Sequence, residues 1–120
     1  MTAPIREEVV VNNATFSATI TSPTITNDGR NVWTVLVKTG AVTTTPTLTV
    51  TVNVSIDGVN WVAAGTGPVI STATTQRLTF ANTTTGASAF PPIVEPYIQV
   101  VVAFGSAGNF ANTTVALIGL

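Results

Sequence analysis

The side chains that could carry chemistry are few. The acids are Glu7, Glu8, Asp28, Asp57 and Glu95, Lys38 is the only lysine, and the chain has no histidine and no cysteine. Nucleophilic catalysis needs a nucleophile beside a base. Serines and threonines are plentiful, but the one amine base is Lys38. It stands where an apolar run ends toward Gly40, the place of a solvated strand-end lysine. Glycoside hydrolysis needs two carboxyl groups flanking the scissile bond. Asp28 and Asp57 each precede a glycine, where an aspartate accepts backbone N–H bonds within a turn. Zinc finds no nitrogen or sulfur ligand, and no spacing of acids makes a calcium loop. No glycine-rich loop opens a helix that could cradle a phosphate. The expectation is a protein that is no enzyme, with no catalytic residue, no cofactor and no metal.

Two stretches remain as candidates for contact with something else. The first is Ser55-Ile56-Asp57-Gly58-Val59-Asn60-Trp61. It reads as a hairpin in which Asp57 and Gly58 make the turn, Asn60 caps it, and Trp61 returns the chain. Trp61 is expected to lie over the end of the core. The other reading of the same hairpin is a ligand-facing one, with the indole as a stacking platform for a sugar. The second stretch is the N-terminus. Pro4, Glu7 and Glu8 do not look like core, whereas Val9, Val10 and Val11 look like the start of a strand. Either the terminus frays, or Ile5, Arg6, Glu7, Glu8, Val9, Val10 and Val11 form an assembly arm that pairs with a neighbouring chain. Sequons at Asn13, Asn53, Asn82 and Asn112 are what a chain rich in Thr and Asn produces by chance.

The elements that must position these residues are strands. Leu48, Val50, Val52, Val54 and Ile56 alternate with Thr47, Thr49, Thr51, Asn53 and Ser55, the pattern of a strand with one buried and one wet face. Trp33, Val35 and Val37 share a face in a second strand, with Val32 and Leu36 on the other. Phe16, Ala18 and Ile20 mark another, Leu78 and Phe80 a short one. Residues 97–104 are apolar at nearly every position, as in a central strand. A last strand covers residues 113–120, with Val115 and Leu117 on one face and Ala116 and Ile118 on the other. Turn chemistry separates them at Asn27-Asp28-Gly29, Asp57-Gly58, residues 65–68 and residues 105–109. Phe90-Pro91-Pro92 through Pro96 makes a stiff entry into the strand that starts at Tyr97. Short strands at this spacing predict an all-β fold, an antiparallel β-sandwich of about six to eight strands, immunoglobulin-like or jelly-roll. The 120 residues fit one such domain over residues 12–120, preceded by an arm over residues 1–11.

Composition limits the partners. Charged residues are 8% of the chain and the net charge is −1, too few and too mixed for the basic footprint of a nucleic-acid binder. No stretch is long and apolar enough to span a membrane as a helix. No secretory leader is visible at the start. The expected partners therefore include no nucleic acid and no membrane.

The S-x-D-G-x-N-W hairpin at Ser55–Trp61, followed by Pro96-Tyr97-Ile98-Gln99-Val100 and a final apolar strand, resembles small virion proteins of tailed bacteriophages. It looks most like the decoration, or cement, proteins on the outside of a phage capsid. The resemblance runs from residue 47 to residue 120. It implies a structural virion protein, made in the host cytoplasm and placed on the outer capsid surface. Its partners would be the major capsid protein and copies of itself, a homo-oligomer with trimer favoured over dimer. The alternative is a carbohydrate-binding or adhesive β-sandwich module of a phage tail or bacterial surface protein.

Overall fold

Valine and threonine at period two make strands, and the fold is all-β. The computed structural model describes residues 6–82 and 89–120. Within them lie β1 (Arg6–Phe16), β2 (Ile20–Thr21), β3 (Ile25–Thr26), β4 (Trp33–Lys38), β5 (Val42–Ser55), β6 (Val62–Thr66), β7 (Thr75–Phe80), β8 (Ala89–Phe90) and β9 (Tyr97–Gly119). They belong to one hydrogen-bonded sheet. Its main path is β6-β5-β9-β4-β7-β8, and β1, β2 and β3 also pair with β9. Among the described residues only β7 and β8 pair in parallel. The sheet is therefore mixed, and it is nearly closed into a barrel. The expected antiparallel, two-layered arrangement gives way to a single sheet of nine strands among the described residues.

A long ribbon organises the sheet. Residues 33–55 run antiparallel to β9 in one unchanged register, from Trp33↔Gly119 to Ser55↔Tyr97. Between β4 and β5 the pairing continues through Gly40 N–H to the Ala111 carbonyl at 2.8 Å and Ala111 N–H to the Ala41 carbonyl at 2.9 Å. On the opposite side of β9, β1 covers its C-terminal half, and β2 and β3 its N-terminal half. Fully extended, a strand as long as β9 would measure about 75 Å. The longest dimension of the molecule is 43 Å, so β9 must curl. Its two ends are bridged by one short loop. Asn27 N–H reaches the Pro96 carbonyl at 2.9 Å, and Asn31 N–H reaches the Leu120 carbonyl at 3.2 Å.

Local features put the bend at the middle of the ribbon. Register shifts break β1 at Val9/Val11, Val11/Ala14 and Ala14/Phe16. Positive φ occurs at Asn13, Thr44, Ser106, Gly108 and Asn112, the irregularities by which a strand gains twist and turns a corner. Gly40 lies flat against the Ala111 carbonyl, and a Cβ there would overlap that oxygen. Residues 105–109, expected as a loop, are therefore strand. Their Gly, Ser and Ala content marks bulges in β9, and Gly105 to Asn109 pair with Thr47 to Thr43.

The core follows the alternation. Trp33, Val35, Val37, Leu48, Val50, Val52, Leu78, Phe80, Ile98, Val100, Val102, Val115 and Leu117 are all buried. Phe16 and Phe110 are buried beside each other, with ring centroids 6.4 Å apart. The β6 edge approaches the β7–β8 edge across this core. Gly65 makes that possible, because a Cβ there would sit 2.7 Å from the Phe90 ring. Phe90 in turn stacks on Phe80 at 4.9 Å.

Two expectations are corrected. Ile56 does not continue the buried row of β5: it is 79% exposed, since the strand ends at Ser55 and the chain has entered the turn. The boundary of the arm also moves. Arg6, Glu7, Glu8, Val9, Val10 and Val11 are part of β1 and pair with β9 of the same chain, Arg6↔Gly119 through Val11↔Val115. They join the sheet because β9 offers a free edge on that side, and an intrachain edge needs no second molecule. Ile5 lies outside the described residues.

Candidate functional site

The turn after β5 is built around one carboxylate. Asp57 Oδ1 accepts from the Val59 and Asn60 N–H groups, both at 2.8 Å, and from Ser55 Oγ at 2.9 Å. Its Oδ2 accepts from Asn60 Nδ2 at 2.7 Å. Ser55 Oγ itself accepts from the N–H groups of Asp57 at 3.2 Å and Gly58 at 2.9 Å. Gly58 takes φ of 78°, at the position where the loop must reverse. Donors aimed at the ionised form hold the Asp57 carboxyl well below the usual carboxylate range. The Asn60 backbone N–H contributes most, then the Val59 N–H, the Asn60 amide and the Ser55 hydroxyl. A carboxylate so fully engaged is a structural anion. Its oxygens are committed to the loop, not free to take a proton from a substrate.

A second polar centre lies at the same end of the barrel. Asn27 is buried. Its Oδ1 accepts from Trp33 Nε1 at 2.9 Å and from Arg30 N–H at 3.1 Å. Its Nδ2 donates to the carbonyls of Glu95 at 2.9 Å and Ile93 at 3.2 Å. One amide thus satisfies the indole of the most deeply buried tryptophan and ties down the proline-rich strap before β9. Ile93 is buried beneath that strap while Val94 points out.

These two loops and the strap define the candidate site. Between the turn and the strap runs a groove of about 380 Å³ lined by Ile56, Asp57, Asn60, Val62 and Glu95, with Val54 and Ser55 at its floor. A second hollow of similar volume lies on the other flank of the strap, between residues 27–31 and Pro92, Ile93 and Val94. Around them Ile56, Val59, Val62 and Val94 are 79%, 75%, 69% and 80% exposed. Ile56 and Val62 line the first groove and Val94 the second; single exposed hydrophobes are common, but several gathered at one place mark contacts.

The residues singled out from the sequence separate into two places. Asp57, Gly58 and Asn60 form the turn as a unit. Trp61 is half-buried and lies outside the core cluster, so the lid over the core is supplied elsewhere, with Trp33 as the buried indole. Arg6 to Val11 lie along β1 and do not join the turn. Arg6 instead pairs with Asp28 at 2.9 Å on the surface. Sequence reasoning missed Asn27 as a clamp, and missed Val94 and Glu95. The available signals were a tryptophan that needs a partner for its N–H when buried and a stretch of prolines too stiff to be a plain linker. Among the described residues no three acids gather where a metal could bind. Comparison of the chain with protein-family models, with curated proteins and with solved structures finds no match.

Proposed function

We propose that this protein works by binding and not by catalysis, as a structural virion protein that decorates and stabilises a phage capsid. It would attach to the major capsid protein and to neighbouring copies of itself on the outer shell. The observation that carries the reading is the exposed loop end. Exposed Ile56 and Val62 line a groove that holds Asp57 and Glu95, with exposed Val94 lining the hollow on the other flank of the strap. Such a surface suits a protein partner that offers apolar side chains and one basic group. The hairpin's resemblance to decoration proteins supports the same reading. The curled, continuous β5–β9 ribbon gives a stiff body, and many copies on one shell add their modest contacts. The test is co-sedimentation with capsids that lack the protein. Wild type is expected to bind, and Ile56→Asp together with Val94→Asp to abolish binding without unfolding the domain. Equal binding by the double variant would overturn the loop end as the contact.

A second reading rests on Trp61. Trp61 is half-buried and directly follows Asn60, whose amide donates to Asp57 in the turn, and an indole left partly in water suits a sugar ring. Retention of wild type on a polysaccharide column, lost in Trp61→Ala, with no capsid binding by wild type, would replace the capsid reading by an adhesive one.

A further inference from the structure

We infer that the seam of the barrel beside β6 receives an extended segment of the protein partner, one that carries an aliphatic side chain and a lysine or arginine two positions apart. Cross-strand partners in an antiparallel pair point to the same side. Val62 and Gly65 of β6 stand opposite Val54 and Val52 of β5, both buried. Gly67 continues the row, with its N–H on the Val50 carbonyl at 2.9 Å. This row of β6 therefore faces the core. At its two glycines, side chains reach over from across the seam. A Cβ at Gly67 would sit 2.9 Å from Leu78, and one at Gly65 would sit 2.7 Å from the Phe90 ring. The remaining position is Val62, and it is 69% exposed. The seam is thus closed at Gly67 and Gly65 and open at Val62, a core-facing valine left in water.

Backbone and charge together choose the occupant. Backbone groups alternate sides along a strand. Val62 and Gly65 turn theirs toward β5, as Gly67 does, so Ala63 turns its N–H and C=O toward the seam. An extended chain pairs with such an edge by adding a strand. Charges ordinarily blunt an edge. β1 carries Arg6, Glu7 and Glu8, and β7 carries Arg77, whereas β6 reads Val62-Ala63-Ala64-Gly65-Thr66 with no charge. Beside Val62 lies the groove of about 380 Å³, with Val54, Ile56 and Val62 as its apolar wall and Asp57 and Glu95 as its acids. Among the described residues no lysine or arginine lines it. Asp57 is committed to its turn. Glu95 accepts from the Val94 N–H through Oε1 at 3.2 Å and is the acid that meets an incoming cation. Residues i and i+2 of a strand share a face, roughly 7 Å apart, so an aliphatic side chain on Val62 and a basic one at Glu95 fit a single extended segment. A second copy of β6 would bring no basic residue to Glu95. The register shift between Gly65 and Ala63 keeps the pairing short, so each contact is weak and many copies add up. The inference rests on the protein partner of the proposed function and narrows it from a surface to a segment.

The experiment is an NMR titration of the full chain with capped peptides of sequence Thr-Val-Thr-Lys-Thr and Thr-Val-Thr-Glu-Thr, with circular dichroism to confirm that variants fold. The lysine peptide is expected to shift the amides of Val62, Ala63 and Glu95, and to bind about tenfold more tightly than the glutamate peptide. Glu95→Lys is expected to remove that preference. Ala63→Pro removes an N–H that points away from β5, a place where an edge strand tolerates proline, and is expected to weaken the lysine peptide about threefold or more. No shift at Val62 and Ala63 up to millimolar peptide overturns the inference. So does equal binding of the two peptides, a preference that survives Glu95→Lys, or a lysine peptide indifferent to Ala63→Pro. Capsid binding that persists in Glu95→Lys, with no peptide bound by wild type, would leave the decoration reading standing while this one falls. Peptide binding without capsid binding would remove the decoration reading and keep the seam.

Discussion

Asn27 and Asp57 show two ways in which a polar side chain can serve this fold. Asn27 is buried and has both ends of its amide occupied. Asn27→Ala leaves the Trp33 N–H and two carbonyls without a partner, and is expected to cost about 3 kcal/mol in urea unfolding, because buried orphaned groups are expensive. Trp33→Ala is expected to cost about 3–5 kcal/mol. Trp61→Ala is expected to cost clearly less, since its indole lies outside the core. Asp57 acts through charge. Its folded pKa is depressed, so its stabilisation is present above the ordinary carboxylate value near 3.9 and is lost as pH falls through the folded value. In an NMR titration the Val59 and Asn60 amides are expected to stay unchanged from pH 7 to about 3. A midpoint near 4 would mean that the loop is not closed on this carboxylate. The turn itself was readable, because Asp-Gly and a nearby Asn act over a few residues. The Asn27 clamp was not, because its partners lie up to 68 positions away.

At the scale of the element, β5 marks where alternation stops being a guide. Leu48, Val50, Val52 and Val54 are buried while Ile56, next in the same spacing, is exposed. Val52→Asp is expected to unfold the protein by burying an unpaired charge. Ile56→Asp is expected to stay within about 0.5 kcal/mol of wild type. The same pair of variants read by thermal melting checks where the strand ends. β1 shows the converse. Its first half carries Arg6, Glu7 and Glu8, which resist burial and suggest a free arm, yet it pairs with residues 115–119. Charges on an edge strand are compatible with pairing on the other side and discourage further strands from adding. Removing residues 1–8 is therefore expected to lower stability by about 1–3 kcal/mol in denaturant titration. Unchanged stability would return Arg6 to Glu8 to the status of a dispensable arm.

The molecule as a whole is held by contacts between distant parts of the chain. β1 lies against the last residues of β9, and residues 33–55 lie against residues 97–119. None of these pairings can form until long loops close, so refolding is expected in the millisecond-to-second range typical of non-local β topologies. Stopped-flow fluorescence of Trp33, buried between β7 and β9, reads it directly. A microsecond phase carrying the full amplitude would show that the ribbon is not the rate-limiting structure.

Alternation of Val and Thr, by itself, determined that the protein is all-β and which side of β5 faces inward, because the two faces of a strand are a property of neighbouring residues; β4 and β9 carry apolar residues on both faces, and only the fold chose between them. The composition likewise determined, before any fold, that the chain carries no imidazole and no thiol and a single lysine. Only the tertiary structure decided that residues 97–119 are one strand, that Arg6 to Val11 close onto it, and that the sheet curls nearly into a barrel. Each of those depends on a hydrogen-bonding partner remote in sequence. Gly105 to Asn109 read as a loop when alone, and become strand because Thr43 to Thr47 lie alongside to pair with them.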